Sequence, residues 1–432
     1  MTQPSLIRAL GRWDLTAIGV NQVIGGSIFL MPSLLAASVG AWSPVAFLAV
    51  GALSMAIALS FAEAASRFDE TGGPYLFTRP VFGRFASFEA GWLLWYARAS
   101  SWASIVNGLA DALSFYWPAL KTGLPRASLI ASVIAIICWI NVRGIRQSAF
   151  VVNLLTIGKL VPLALFIVIG FFFVNPEWVK PAGGVSWSSA SATALLVIFA
   201  YGGYEVVTVP AGEAKDPMRM VPFALVMTIA TVTAVMTLAQ IVALGTLEGL
   251  ASSKTPLADA AVVFLGAAGG LLLTAGAAVS MLGNNMGHPL SGSRNLYALA
   301  EQGDLPAIFG RVHPVYRTPW IAVIFTSAVA LVLALSGSFA TLAAGSAVAR
   351  LVLYAGTCAS VLMLRRPRFA GVVRPATFVA PGGPTIPLVG ILLALSIIAG
   401  ATTMQLLVGV GAIVAGAVLY LVAAPGARDV QS

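Results

Sequence analysis

Charged residues are scarce in this chain: Asp, Glu, Lys and Arg make up 9% of its 432 residues, against about a quarter in a soluble domain. That scarcity excludes an ordinary water-soluble fold. Histidine is nearly absent, with His288 and His313 alone, both expected in an inner loop. A polytopic membrane enzyme needs a nucleophile with its base, or a cluster of His, Asp and Glu at a membrane face, and the sequence offers neither. Cys138 and Cys358 fall inside apolar runs, which argues against a disulfide framework and a thiolate metal site. No cofactor or metal is expected. No repeated filter segment of a channel is present. No cleavable leader is expected either, because the apolar stretch from Leu15 to Ala37 is too long for a leader core.

Apolar residues are what the chain has in abundance, at 59% with a mean hydropathy of +0.93. Apolar runs recur from Leu15 almost to the end, near the length of about 20 residues that crosses a bilayer. Twelve spans are expected, at 15–37, 43–66, 86–117, 127–141, 151–174, 190–211, 221–247, 257–286, 319–336, 341–364, 385–401 and 403–423. The formal net charge of +9 does not point to nucleic acid here, because the basic residues sit in short loops and report topology. With the N-terminus inside, inner segments hold 17 Lys and Arg, and outer segments only Lys121, Arg126, Lys180 and Lys254. Both termini are therefore expected in the cytoplasm, as an even number of spans requires, with the protein integral to the cell membrane and lipid around it.

Two spans carry paired glycines. The first reads Val23-Ile24-Gly25-Gly26-Ser27-Ile28-Phe29 with Pro32 beyond, and the sixth reads Phe199-Ala200-Tyr201-Gly202-Gly203-Tyr204-Glu205 with Pro210 beyond. Glycine costs about 1 kcal/mol in a helix interior relative to alanine, so such a pair followed by proline is a place for a helix to break. Close helix packing is the other use of the glycines. Their matched positions, opening units at 15–174 and 190–364 of opposite orientation, favour breaks and an inverted repeat with the substrate between them. The half-helix after Gly26 would aim free N–H groups and a positive dipole end at a carboxylate. The half-helix ending near Tyr201 would offer carbonyls to an ammonium. Ile24, Gly25, Gly26, Ser27, Phe199, Ala200, Tyr201 and Gly202 are thus the candidate substrate-binding residues. Phe199 is a candidate aromatic gate, or simply packs against lipid or a neighbouring helix.

These segments resemble the amino acid–polyamine–organocation transporter superfamily. Ile24-Gly25-Gly26-Ser27-Ile28-Phe29 is similar to its Ile-Gly-Ser-Gly-Ile-Phe signature with glycine and serine exchanged. The sixth-span segment is similar to its aromatic-x-aromatic-x-Gly-x-Glu pattern and continues into Glu213-Ala214-Lys215-Asp216-Pro217. Thr71-Gly72-Gly73-Pro74-Tyr75 and Arg294-Asn295-Leu296-Tyr297-Ala298-Leu299-Ala300 resemble two of its cytoplasmic loops. The resemblance covers about 15–364. It implies an all-α integral membrane fold of twelve transmembrane helices. Five-plus-five inverted repeats with broken helices one and six would be joined by two peripheral helices at 385–423, between inner segments at 1–14 and 424–432. It implies transport of an amino acid or amine by alternating access. A pocket without an obvious acidic residue favours neutral over cationic substrates.

Ionisable residues inside spans are candidates for function. Arg98 and Arg350 are read as snorkelling or bracing helices. Glu205, just past a break, is read as a proton-sensitive or gating carboxylate. Lys159 is far enough inside span five for either of two roles. Its stem can snorkel part of the way out, or its ammonium can hydrogen-bond carbonyls of broken span one near Ala17 and Gly19. The second role follows from the resemblance, because some family members carry a lysine where sodium-coupled relatives bind a cation. Sodium-independent transport, proton-linked or exchanging, is the expectation that follows.

Overall fold

The computed structural model describes residues 6–114, 117–337, 339–401 and 403–423. The inner tail expected at 424–432 lies outside the described residues. Among those described, the chain forms thirteen α-helices and no β-strand. They are α1 (Arg12–Val23), α2 (Ser27–Val39), α3 (Ser43–Ala65), α4 (Pro74–Ser114), α5 (Gly123–Arg143), α6 (Ile145–Gly170) and α7 (Trp187–Tyr201), followed by α8 (Pro217–Thr246), α9 (Pro256–Glu301), α10 (Trp320–Ser336), α11 (Phe339–Leu364), α12 (Thr385–Ala399) and α13 (Thr403–Ala423).

Among the described residues six helical stretches are long and apolar enough to cross a membrane: Met31–Ala65, Gly123–Arg143, Ala149–Phe173, Pro217–Thr246, Pro256–Glu301 and Thr403–Val422. The distribution of polarity is that of a protein dissolved in lipid. Phe172, Leu124 and Leu271 stand exposed on the outside, while Arg98, Lys159 and Glu205 are buried among the helices. In hydrocarbon an unpaired charge or backbone amide is costly, so the polar groups gather where other polar groups meet them.

The helices stop where the paired glycines stand. α1 ends at Val23 and α2 begins at Ser27; α7 ends at Tyr201 and the chain resumes as a tight 3-10 segment over Tyr204–Glu213. α4 and α9 run longer than the sequence expectation of 86–117 and 257–286. Each starts at a proline, Pro74 and Pro256, where a missing N–H costs nothing. Each then bends at a glycine in the left-handed region, Gly83 (φ 81°) and Gly266 (φ 64°), which lets the first turns lie at an angle to the rest. α9 also continues through Pro289 to Glu301. In the packed bundle α4 lies against α11 and α9, α3 against α8, and α6 against α9. α12 and α13 sit on α11, with α12 also touching α3 and α13 touching α4.

Candidate functional site

A helix that ends inside a membrane leaves its last carbonyls and the next helix's first N–H groups without partners of their own. At the first break the carbonyls are met by other helices. Lys159, buried on α6, donates from Nζ to Asn21 O at 3.1 Å, to Ile24 O at 2.6 Å and to Ser280 O of α9 at 3.4 Å. Ser280 donates to Gly25 O at 2.9 Å, and the Asn284 amide donates to Gln22 O at 2.7 Å. In return Gln22 donates to Asn284 O at 2.7 Å. Lys159 therefore does not snorkel, and it does not reach the carbonyls near Ala17 and Gly19. Those lie inside α1, where the helix's own N–H groups take them; the free acceptors begin only at its last turn.

At the second break Gly203 has φ 127°, and a Cβ there would lie 2.9 Å from Gln22 O. The two breaks touch through this glycine. Its N–H donates to Glu205 Oε2 at 2.9 Å. Gly203→Ala is expected to destabilise the protein by about 1–3 kcal/mol through a strained backbone, read as a lower melting temperature. Gly26→Ala, by contrast, would place its Cβ at an ordinary 3.6 Å from Met281 Cε. Equal melting temperatures for the two variants would contradict the close approach.

A cavity of about 460 Å³ opens between the breaks. Of the eight substrate-site candidates, Gly25, Gly26, Ser27, Ala200 and Gly202 line it. Ile24 lies fully buried behind it. Tyr201 turns away, donating its hydroxyl to Phe47 O of α3 at 3.0 Å. The side chain of Phe199 lies outside the described residues.

The sequence reading missed the cavity's charged wall. Arg98 of α4 and Arg350 of α11 both line it. Neither snorkels: Arg98 Nη2 donates to Glu205 Oε1, and Arg350 Nε lies 3.1 Å from the same oxygen. Tyr354 donates to Glu205 Oε2 at 2.7 Å. Glu205 itself stands fully buried behind the two arginines. His288 is not in a loop; it is buried on α9, lines the cavity, and its Nε2 lies 3.0 Å from Asn284 Oδ1. The expected span ends at 286, whereas α9 continues through Pro289 to Glu301. At the far end of the cavity Asp111, largely exposed, is paired with Arg126 at 2.6 Å.

The opposite end of the bundle is closed by ion pairs. Arg294 of α9 grips Glu213 with two hydrogen bonds, at 2.7 and 3.0 Å, both side chains fully buried. Leu10 and Ala9 donate to Glu213 O at 2.9 and 2.8 Å, tying down the N-terminal segment. Asp304, just after α9, holds Arg79 at 2.7 Å and also Arg84, and it accepts the Tyr75 hydroxyl at 2.6 Å. Burial first, and then that hydrogen bond, push the Tyr75 phenol far above its ordinary range, so it remains a donor at any physiological pH. Gly72 donates to Val209 O at 3.1 Å, fastening the Thr71–Tyr75 loop onto the end of the sixth span.

The family model described as amino acid permease matches residues 10–424. The serine/threonine exchanger SteT of Bacillus subtilis is 31% identical over 332 residues, covering 73% of this chain and 74% of its own. The branched-chain amino acid permease BcaP of that organism is 26% identical over 422 residues, covering 92% and 88%. Its methylthioribose transporter is 26% identical over 404 residues, covering 89% and 86%.

Proposed function

The chain belongs to the amino acid permease family, and on that premise we propose that it moves an amino acid across the cell membrane by alternating access, without sodium, in proton-linked or exchange mode. The observation that carries this reading is the asymmetry of the first break. Its carbonyls are occupied by Lys159, Ser280 and Asn284, while Gly26 and Ser27, at the start of α2, face the cavity. Donors with a positive helix end are what remains for a ligand, and a carboxylate is what they fit. Ala200 and Gly202 at the end of α7 face the same cavity, and carbonyls with a negative helix end suit the ammonium. The receptor for these two groups is thus built from backbone, and it leaves open the side chain between them.

Twelve spans in two inverted units, 15–174 and 190–364, with peripheral helices at 385–423, fit this cycle. The supporting features recur in both units. Each opens with a glycine-broken span, and each contains one very long helix, α4 or α9, that starts at proline and bends at a left-handed glycine. Both termini are assigned to the cytoplasm from the loop charges, so the ion-paired end faces inward. Lys159 supports sodium independence, since its ammonium already sits among carbonyls that a metal cation would otherwise need. Glu205, engaged by two guanidiniums and a tyrosine, serves as the anchor of that wall. A polyamine or cationic amino acid is disfavoured by the two arginines on the cavity surface.

Uptake of labelled amino acids into proteoliposomes in sodium-free buffer, across a pH series, tests the proposal. Uptake is expected without sodium. A strict sodium requirement would overturn the coupling assignment, and the absence of uptake or exchange for all twenty amino acids would overturn the function.

A further inference from the structure

Three charged groups meet on one wall of the cavity, and they do not balance. Glu205 is saturated: Oε1 faces Arg98 Nη2 and Arg350 Nε, and Oε2 accepts from Gly203 N–H at 2.9 Å and the Tyr354 hydroxyl at 2.7 Å. The guanidiniums are not. Each carries five N–H donors. Among the described residues Arg98 Nε is buried with no partner, and Arg350 adds one long bond, from Nη2 to Ser101 Oγ at 3.3 Å. Two cations against one anion leave one positive charge at the cavity surface, where Arg98 is 1% exposed and Arg350 8%.

Among the described residues nothing else on the cavity wall cancels that charge. Asp111 is committed to Arg126 at 2.6 Å, with its side chain 57% exposed at the far end. His288 contributes no negative charge, and its Nδ1 has no partner among the described residues. The Lys159 ammonium lies behind the first break and is occupied by carbonyls. A buried charge without a counter-charge costs several kcal/mol, and more within a membrane protein's interior. A zwitterion entering this cavity is neutral and leaves the excess in place. A ligand with one further carboxylate removes it, and a guanidinium presents the planar fork that a carboxylate fits.

We propose that the substrate is an acidic amino acid, an α-amino dicarboxylate, whose side-chain carboxylate docks on Arg350 and Arg98 while its α-carboxylate meets the start of α2. This rests on the amino acid reading above and names the side chain that reading leaves open.

The test is binding and uptake competition on the full-length protein, in detergent and in proteoliposomes. The probes are L-glutamate, L-aspartate, L-glutamine, L-asparagine and L-serine. Each acid is expected to bind about tenfold or more tighter than its own amide, as hydrogen bonds to a charged group do over neutral ones. In Arg350→Gln the acid-to-amide ratio is expected to fall about 10- to 100-fold, and Arg350→Lys is expected to restore part of it. If the amides or serine bind the wild-type protein as well as the acids, the acidic assignment is wrong while amino acid transport stands. If no amino acid binds or is transported, the functional reading fails together with it. The wild-type ratio decides the matter even where Arg350→Gln does not fold.

Discussion

Lys159→Met is expected to abolish uptake, by about a hundredfold or more, in a protein that still folds. The side chain is fully buried on α6 and joins three segments through one ammonium: Asn21 O and Ile24 O at the end of α1, and Ser280 O on α9. Hydrogen bonds from a charged group are each worth about 1.5–3 kcal/mol. Losing the two shorter ones while leaving their acceptors buried exceeds what separates a working conformation from a silent one, since each 1.4 kcal/mol is about tenfold. Methionine matches the length and fills the space, so the bundle keeps its packing and the loss falls on the position of the break. Near-normal uptake by a Lys159→Met protein would remove Lys159 from bracing, and residual uptake with an unaltered pH profile would remove it from coupling. The same proteoliposomes, assayed with and without sodium, report whether a cation can stand in for the missing ammonium.

The breaks were legible because they are local. Two glycines in succession, with a proline a turn or two later, weaken a helix wherever they occur, and the chain does leave the helix at Gly25–Gly26 and Gly202–Gly203. Lys159 was legible as a buried ammonium seeking carbonyls of the first span. Its partners were misjudged by about a turn, because which carbonyls are free depends on the residue at which α1 ends. Arg98, Glu205 and Arg350 come from three different helices, and no spacing in the sequence reveals that they meet. Glu205 was marked by its place just past a break, but the arginines' one advance signal was rarity: an arginine within a span is seldom there only to reach the interface. His288 was hidden for a different reason. The hydropathic run ends near Met286, two residues before it, yet α9 continues through Pro289 to Glu301. The long helices α4 and α9 outrun the expected spans at opposite ends: α4 begins at Pro74, ahead of 86 and across the bend at Gly83, while α9 continues past 286 to Glu301.

Glu213→Gln is expected to open the ion-paired end of the bundle, which the proposed topology places inward. Arg294 and Glu213 are both fully buried, and their paired hydrogen bonds, at 2.7 and 3.0 Å, join the inner half of α9 to the end of the sixth span. Replacing the carboxylate by an amide keeps the shape and leaves a buried guanidinium without its counter-charge, a change that costs about 3–5 kcal/mol. The proposed alternating-access cycle relieves that cost directly, because separating α9 from the sixth span lets water reach Arg294. The second latch survives, since Asp304 still holds Arg79 and the Tyr75 hydroxyl, so the outcome is a shifted equilibrium and not an unfolded protein. A gain of about 3 kcal/mol for the open form corresponds to a shift of about a hundredfold in the population ratio. Ala298→Cys provides the reporter: Ala298 is buried on α9, and its Cβ lies 3.2 Å from where a side chain at Gly72 would begin. With Cys138 and Cys358 replaced by serine, a membrane-impermeant maleimide applied from the inner side is expected to label Ala298→Cys slowly in the parent. Labelling is expected about tenfold faster or more once Glu213→Gln is added. Equal rates in the two backgrounds would show that the Arg294–Glu213 pair does not close this end, and would leave Asp304 and its arginines as the closing contact.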